Sequence, residues 1–281
     1  MAYSYRTLTE ALSRAGIEEP AFEASLLLER VAGVSYATLM TERDRTYDLP
    51  ALEAALSRRL VREPLQYILG EWEFYGCPFT VNEHCLIPRP DTEILVEAAI
   101  KRLPNNAHFA DLCTGSGCIA VATLVHRPDT TAHALELYPE TLALATQNAA
   151  RNGVSHRFTP VCADLLNDGT TALSTGAPFD AILSNPPYIP TAAIDDLSPE
   201  VHKEPFAALD GGEDGLVFYR VILRDYASLV KPGGLILLEM GYDQAEDLRR
   251  LTAELLPGAS VEILRDLGGN DRVTKITLPT A

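Results

Sequence analysis

The sequence predicts an α/β fold built on a mostly parallel sheet and preceded by a small all-helical domain. After His108, short apolar runs alternate with segments of helical periodicity, which is typical of a parallel sheet with crossover helices. Before position 74, apolar side chains recur at helical spacing. Between these parts lie short β-prone segments interrupted by Gly and Pro. We therefore divide the chain into a helical domain (1–73), a β-hairpin connector (74–90) and an α/β domain (91–281).

Three helices are expected in the helical domain. Leu8 and Leu12 share one face of the first helix, which ends near Gly16. The second helix starts at Pro20, because proline is favoured in a first helical turn, and ends at Gly33. The third begins at Asp48 or Pro50. A unit of roughly 70 residues buries little apolar surface by itself, so we expect it to dock on the rest of the chain.

The connector contains EFYGCPFTV (73–81) and CLIP (85–88), which are short and β-prone. A helix is then expected in IPRPDTEILVEAAIKRL, where Asp91 or Thr92 can cap the N-terminus.

Seven strands are expected in the α/β domain, and the last two are expected to form an antiparallel pair. They are FADLC, TAHALEL, FTPVCADLL, FDAILS, LILLEMG, VEILRDL and RVTKITL. Helices are expected in CIAVATLVH, in PETLALATQNAARNG and near 215–230 and 243–256.

Composition and charge restrict the function classes. The formal net charge is −16, and neither the first 75 residues nor the remainder is basic. Because phosphate backbones repel an acidic surface, we expect no stable binding of nucleic acid. The five cysteines show no metal-ligand spacing, so no metal site is expected. There is no apolar leader and no run of 18 apolar residues, which predicts a cytoplasmic protein without a membrane partner.

A glycine-rich turn and two acidic residues predict a nucleoside site. DLCTGSGCIA (111–120) joins a strand to a helix, and Gly115 and Gly117 allow a tight turn and close approach to a ligand at the helix N-terminus. Glu136, at the end of the next strand, can accept hydrogen bonds from ribose hydroxyls. Asp164, at the end of the third, can meet an adenine amino group. Because the turn with Ala120 also fits a dinucleotide fingerprint, the kind of nucleoside stays open.

The sequence Asn-Pro-Pro-Tyr (185–188) follows the fourth strand, at the edge where ligands of open α/β sheets bind. Pro187 disfavours helical backbone at Pro186, so the turn is stiff. The carbonyl of Pro186 is expected to make no hydrogen bond to a neighbouring strand of the sheet. The Asn185 side chain offers a second carbonyl oxygen, and Tyr188 a flat face. Two such acceptors suit an –NH2 group, as in a planar amide or a base.

A conjugated –NH2 group is a poor nucleophile because its lone pair is delocalised. Two acceptors that bind both hydrogens of the –NH2 group return electron density to its nitrogen. A donor of an electrophilic methyl group is then needed, and the sulfonium of S-adenosylmethionine is such a donor. Positioning can then lower the barrier by on the order of 7 kcal/mol. No metal or strong base is required, because the product loses its proton easily.

Together these motifs make the chain resemble the class I S-adenosylmethionine-dependent methyltransferases, which have a Rossmann-like sheet. More narrowly, it is similar to the family that methylates protein glutamine on N5, and most similar to the branch acting on peptide chain release factors. The resemblance covers nearly the whole length. It is carried by the following segments: REPLQYILGEWEFYG, LIPRPDTEILVE, DLCTGSG, NPPYI, EPFAALDGGEDGL and RDLGGNDRV.

The resemblance implies methyl transfer to the glutamine of the Gly-Gly-Gln motif of class-1 release factors, which modulates translation termination and leaves S-adenosylhomocysteine. Residues 1–73 would recognise the release factor. The resemblance also implies site roles. The cofactor would be held by Asp111, Cys113, Thr114, Gly115, Ser116, Gly117, Glu136, Leu137, Asp164, Leu165 and Asn185. The glutamine would be bound by Asn185, Pro186, Pro187, Tyr188 and Arg89, with Asn185, Pro186 and Tyr188 as catalytic residues.

Three alternatives remain open at this point. The same chemistry could act on a ribosomal-protein glutamine, as in a sister family that shares DLCTGSG. Methylation of the adenine amino group in DNA uses a similar turn, but it needs a basic groove and base flipping, which the net charge of −16 disfavours. A nucleoside-binding protein without catalysis would bind the cofactor and transfer no methyl group.

Overall fold

The computed structural model describes residues 2–280, which fall into two compact units. One unit comprises the chain up to Glu71 together with Ser198–Lys203, and the other comprises Trp72–Leu197 and the chain from Glu204 onward. Ser198–Lys203 belongs with the helical residues, which no pattern in the sequence predicted. None of the helices within residues 2–280 combines the length and apolar character that a bilayer span requires.

The described part of the first unit contains five α-helices and the 3-10 helix Val201–Lys203. The α-helices are α1 (Tyr5–Arg14), α2 (Pro20–Ala32), α3 (Tyr36–Thr41), α4 (Pro50–Leu60) and α5 (Leu65–Leu69). Ser4 caps α1 through its side chain, Pro20 and Pro50 open α2 and α4, and Gly33 ends α2 at φ 66°. The short helices α3 and α5 were not predicted, because five or six residues show too little periodicity to be recognised.

A buried apolar cluster and one ion-pair network stabilise this unit. Leu8, Leu12 and the leucines of α2 and α4 form the cluster. Arg59 is 4% exposed and pairs with Glu23 at 2.6 Å and with Glu200 at 2.9 Å. Glu200 therefore ties the distant segment Ser198–Lys203 to α4.

Apart from Glu71, a two-stranded hairpin begins the second unit, and the α/β domain follows it. The hairpin is β1 (Glu71–Phe74) and β2 (Cys77–Thr80). The other strands are β3 (His108–Leu112), β4 (Thr131–Glu136), β5 (Phe158–Cys162), β6 (Phe179–Ser184), β7 (Val230–Glu239), β8 (Ser260–Arg265) and β9 (Asp271–Thr277). The helices are α6 (Glu93–Arg102), α7 (Cys118–His126), α8 (Pro139–Arg151), α9 (Gly169–Leu173), α10 (Val217–Val221) and α11 (Ala245–Leu255).

The seven strands β3–β9 form one sheet in the order β5-β4-β3-β6-β7-β9-β8. The first five of these strands are parallel, and β9 runs antiparallel to both β7 and β8. The predicted α/β fold with seven strands and an antiparallel C-terminal pair is therefore confirmed. The strand order reverses at β3 and β6, which is where open α/β sheets bind ligands.

Several predicted details differ from the structure. CLIP (85–88) forms no strand, because its backbone makes no ladder pairs. β5 ends at Cys162, so Asp164 lies in the following loop and not on the strand. The helix expected near 215–230 is α10 followed by π-helical backbone over Ile222–Tyr226. Neither Asp91 nor Thr92 caps α6 with its side chain, because a 3-10 turn precedes the helix.

Candidate active site

The carboxyl ends of the central strands place the predicted site residues along one edge of the sheet. Leu112 of β3 is level with Leu135 of β4 and with Ser184 of β6. Glu136 and Asn185 come directly after these residues, so they lie at the same edge although 49 positions separate them.

A cavity that is partly open to solvent lies at this edge. The predicted residues in its wall are Arg89, Cys113, Thr114, Gly115, Ser116, Glu136, Leu137, Asp164, Leu165, Asn185 and Pro187. Asp111, Gly117, Pro186 and Tyr188 do not line it. The structure thus brings together the glycine turn, the acidic residues and the Asn-Pro-Pro-Tyr turn.

The glycine turn has left-handed backbone at several positions, and its two glycines have different structural roles. Gly115 has φ 55° and donates its N–H to a Glu136 oxygen at 3.0 Å. Gly117 has φ 81°, and a Cβ there would lie 3.1 Å from the Cβ of Ala145 on α8. Gly115 therefore shapes the cavity wall, whereas Gly117 permits close packing of α7 on α8.

Glu136 is a buried acid at the cavity. Its carboxylate accepts backbone N–H groups from Gly115 and Leu137 at 3.0 Å and from Tyr138 at 3.2 Å. Burial raises the pKa of Glu136 above its ordinary value, although these hydrogen bonds favour the charged form. Carboxylate oxygens accept more than one hydrogen bond, so Glu136 retains capacity for ribose hydroxyls. This geometry fits a nucleoside cofactor.

Asp111 lies behind the glycine turn and is fully buried. One carboxylate oxygen accepts the Thr114 hydroxyl at 2.6 Å and the Ala120 N–H at 3.3 Å, while Oδ1 has no hydrogen-bond partner. Burial raises the pKa of Asp111 to about 7. The contacts show that Asp111 shapes the turn, and its predicted contact with the cofactor stays a prediction.

Asp164 and Leu165 border the cavity beyond β5. Asp164 accepts the Leu166 N–H at 2.8 Å and the Asn167 side-chain amide at 2.5 Å, so it also holds its own loop together. Leu165 is buried and presents an apolar surface at the wall.

The turn after β6 leaves two oxygens without protein partners. Asn185 Nδ2 donates to Thr92 Oγ1 at 3.3 Å. Among residues 2–280, none donates a hydrogen bond to Asn185 Oδ1 or to the Pro186 carbonyl. Tyr188 packs against the core beside β7, and its carbonyl accepts the Gln244 side-chain amide at 3.0 Å. The two predicted acceptors therefore have no protein donor in the described part of the chain, although Asn185 lines the cavity and Pro186 and Tyr188 do not.

A glycine-rich segment braces this turn from behind. Ile189 N–H donates to the Leu209 carbonyl at 3.0 Å, and Gly211 N–H donates to the Ile189 carbonyl at 2.8 Å. A Cβ at Gly215 would lie 2.4 Å from the Tyr188 carbonyl oxygen. Only glycine permits this approach, so the segment DGGEDG fixes the position of the turn.

Arg89 lines the cavity from the connector and pairs with Glu204, whose side chain is 1% exposed. The other Glu204 oxygen accepts the Ile87 N–H at 3.0 Å. Burial raises the pKa of Glu204, and the Arg89 charge opposes that shift. This pair anchors the connector against the cavity.

Two residues that contact the site were missed as functional residues from the sequence. Thr92 was considered only as a helix cap, and Glu204 was quoted only within a family segment.

Comparison with known proteins first identifies the general class of protein to which the chain is similar. Residues 90–212 match the family model described as "Methyltransferase small domain", and residues 5–70 match that described as "PrmC N-terminal domain". A solved methyltransferase from Pyrococcus furiosus has a TM-score of 0.53 and 18% identity, covering 74% of this chain and 91% of that one. The fold is one that methyltransferases have.

Curated relatives narrow the class to one family. The release factor glutamine methyltransferase of Caulobacter vibrioides is 39% identical over 270 residues, covering 94% of this chain and 91% of the relative. That of Cereibacter sphaeroides is 40% identical over 285 residues, covering 100% and 99%. The chain belongs to the release factor glutamine methyltransferase family. This confirms the predicted family and the prediction of an S-adenosylmethionine-dependent enzyme.

Proposed function

We propose that the chain transfers a methyl group from S-adenosyl-L-methionine to the N5 amide nitrogen of the glutamine in the Gly-Gly-Gln motif of class-1 release factors. Family membership supports the reaction class. One observation carries the assignment to an amide. Asn185 lines the cavity with its Nδ2 bonded to Thr92, so its Oδ1 is left for a substrate donor.

In this proposal, Asn185 Oδ1 and the Pro186 carbonyl accept the two N–H groups of the glutamine amide. The bound cofactor supplies an electrophilic methyl carbon. The two acceptors hold the amide nitrogen in line with that carbon and return electron density to the nitrogen. After transfer, the nitrogen releases one proton to solvent, and S-adenosylhomocysteine is left. The protein contributes positioning and electrostatics, which supply much of the barrier reduction in such reactions.

The remaining site roles are part of the same proposal. The turn from Cys113 to Gly117 and the Asp111 behind it hold the methionine portion, Glu136 with Leu137 the ribose, and Asp164 with Leu165 the adenine. Pro187 and Arg89 border the glutamine, and both lie in the cavity wall. Tyr188 supports the turn that presents the acceptors.

We assign release factor recognition to the helical residues 1–73, and the match of residues 5–70 to an N-terminal domain model of this family supports that role. We place the reaction in the cytoplasm, where translation termination occurs. No disulfide joins the five cysteines in the part of the chain that the structure describes, which agrees with a reducing compartment.

A competition assay tests the proposed function. The protein is incubated with cofactor carrying a radiolabelled methyl group and with equal amounts of a release factor, a ribosomal protein rich in glutamine and duplex DNA. We expect label on the release factor and none on a variant whose Gly-Gly-Gln glutamine is replaced by alanine. Label on the ribosomal protein or on DNA, with an unlabelled release factor, would refute the assignment.

A further inference from the structure

A buried glutamine joins the turn that carries the two acceptors to two other segments of the α/β domain. Gln244 is the residue before α11 and is 7% exposed. Its Nε2 group donates to the Tyr188 carbonyl at 3.0 Å and to the Gly215 carbonyl at 3.4 Å. Its Oε1 atom accepts the Gly241 N–H at 2.9 Å. The function proposed above gives this side chain no role.

The partners of Gln244 determine which way its amide points. A carbonyl oxygen only accepts hydrogen bonds and a backbone N–H only donates. In the reversed orientation, Oε1 would face the Tyr188 and Gly215 carbonyls, and the NH2 group would face the Gly241 N–H. The observed orientation satisfies both hydrogens and the oxygen of the amide, so the NH2 group is held toward the turn.

The bond to Tyr188 completes the fixing of one peptide group. The planar unit that contains the Tyr188 carbonyl also contains the Ile189 N–H, which donates to the Leu209 carbonyl at 3.0 Å. This peptide group is therefore bonded at both ends. On the other side of the turn, the rings of Pro186 and Pro187 fix their own φ angles. Few torsions are left free between the prolines and the bonded peptide group.

We propose that Gln244 is a positioning residue, which fixes the direction of the Pro186 carbonyl and of Asn185 by holding the Tyr188 peptide group. This inference rests on the proposed role of the turn in binding the glutamine amide. Gln244 does not line the cavity. Its loss should therefore lower the rate of methyl transfer and leave the affinity for the cofactor unchanged.

Gln244→Met tests this role, because methionine has a similar length and makes none of these hydrogen bonds. We expect kcat for release factor methylation to fall about tenfold, since a misplacement of about 1 Å can cost up to about 100-fold in rate. The cofactor Kd should stay at its wild-type value. Wild-type kcat in Gln244→Met, or an equal loss of cofactor affinity, would overturn the proposal.

Thr252→Val is the matched control for a purely structural effect. Thr252 is fully buried on α11, and its hydroxyl donates to the Leu248 carbonyl of the same helix at 2.7 Å. The substitution removes a buried hydrogen bond that does not involve the turn. We expect it to lower Tm and to leave kcat at the wild-type value when turnover is measured well below the melting temperature. An equal fall in kcat in both variants would overturn the proposal.

A double substitution tests whether Gln244 acts through the turn. Groups that act as a unit have effects that are not additive. In the Asn185→Ala background, we expect Gln244→Met to lower kcat by about threefold or less, against about tenfold in the wild-type background. The same factor in both backgrounds would overturn the proposal.

A measurement on protein with an intact Gln244 tests its hydrogen bonds whether or not Gln244→Met folds. The chain has three glutamines, Gln66, Gln147 and Gln244. Isotope labelling of glutamine therefore gives three side-chain NH2 pairs, and the Gln66→Ala and Gln147→Ala variants identify the Gln244 pair by elimination. We expect the Gln244 protons to exchange with solvent more slowly than those of Gln147, which is exposed. Exchange as fast as that of Gln147 would overturn the proposal.

Failure of this inference and failure of the proposed function give different results. If the wild-type protein labels the release factor but Gln244→Met keeps wild-type kcat, the positioning role alone is wrong. If the Gln244 protons are protected but the wild-type protein labels no release factor, the proposed function is wrong and the bond that holds the Tyr188 peptide group stands.

Discussion

Replacing Asn185 by alanine is expected to lower kcat for release factor methylation by about 100-fold or more. The substitution removes one of two preorganised acceptors for the substrate amide, and loss of one such group at a reacting centre commonly costs on the order of 10²–10³ in rate. The cofactor Kd should stay within about threefold of wild type, because the glycine turn and Glu136 are untouched. Steady-state kinetics and calorimetric titration with the cofactor measure the two quantities.

Asn105→Ala is the matched control for this prediction. Asn105 is exposed on the loop between α6 and β3, so the same chemical change there should leave kcat and cofactor affinity at wild-type values. Wild-type turnover in Asn185→Ala would remove the role assigned to this amide. A parallel loss of cofactor binding would show that Asn185 serves the cofactor more than the substrate.

The second large effect is expected from Gly215→Ala. A Cβ at this position would lie 2.4 Å from the Tyr188 carbonyl and 2.9 Å from Gln244 Nε2, and the backbone has φ 72°. The alanine must push the turn that carries Asn185 and Pro186 out of place. We expect a loss of about 3 kcal/mol in the free energy of unfolding and a fall in kcat of about tenfold or more, measured by urea unfolding and by methyl transfer well below the melting temperature.

Gly76→Ala is a control that has the backbone strain of Gly215→Ala without its steric clash. Gly76 has the same φ of 72°, but a Cβ there would meet nothing within 4 Å. The Gly76→Ala substitution should lower the free energy of unfolding by about 1 kcal/mol and leave kcat unchanged. Equal effects of the two substitutions would show that the glycine-rich segment does not brace the turn.

Much of the fold was predictable because hydrophobic periodicity and turn residues are local signals. The alternation of strands and helices predicted seven strands, each of which overlaps an observed strand, and Pro20, Gly33 and Pro50 marked helix termini correctly. The end of β5 was placed too late, because Ala163 and Leu165 continue the apolar character of the strand although the chain has already turned.

The candidate site was predictable where function is concentrated in one short motif. The glycine turn and the Asn-Pro-Pro-Tyr turn each place several relevant groups within a few residues. Glu204 acts through Arg89, a partner 115 positions away in the sequence. Such pairs arise from strand order and loop packing, which a single sequence does not encode in any local pattern.

The most direct test is a crystal structure of the protein with S-adenosylhomocysteine and a release factor domain carrying the Gly-Gly-Gln motif. We expect the glutamine side-chain nitrogen within about 3 Å of both Asn185 Oδ1 and the Pro186 carbonyl oxygen, and facing the sulfur of the product. A glutamine amide held by other groups, or an Asn185 that turns its Nδ2 toward the substrate, would contradict the account.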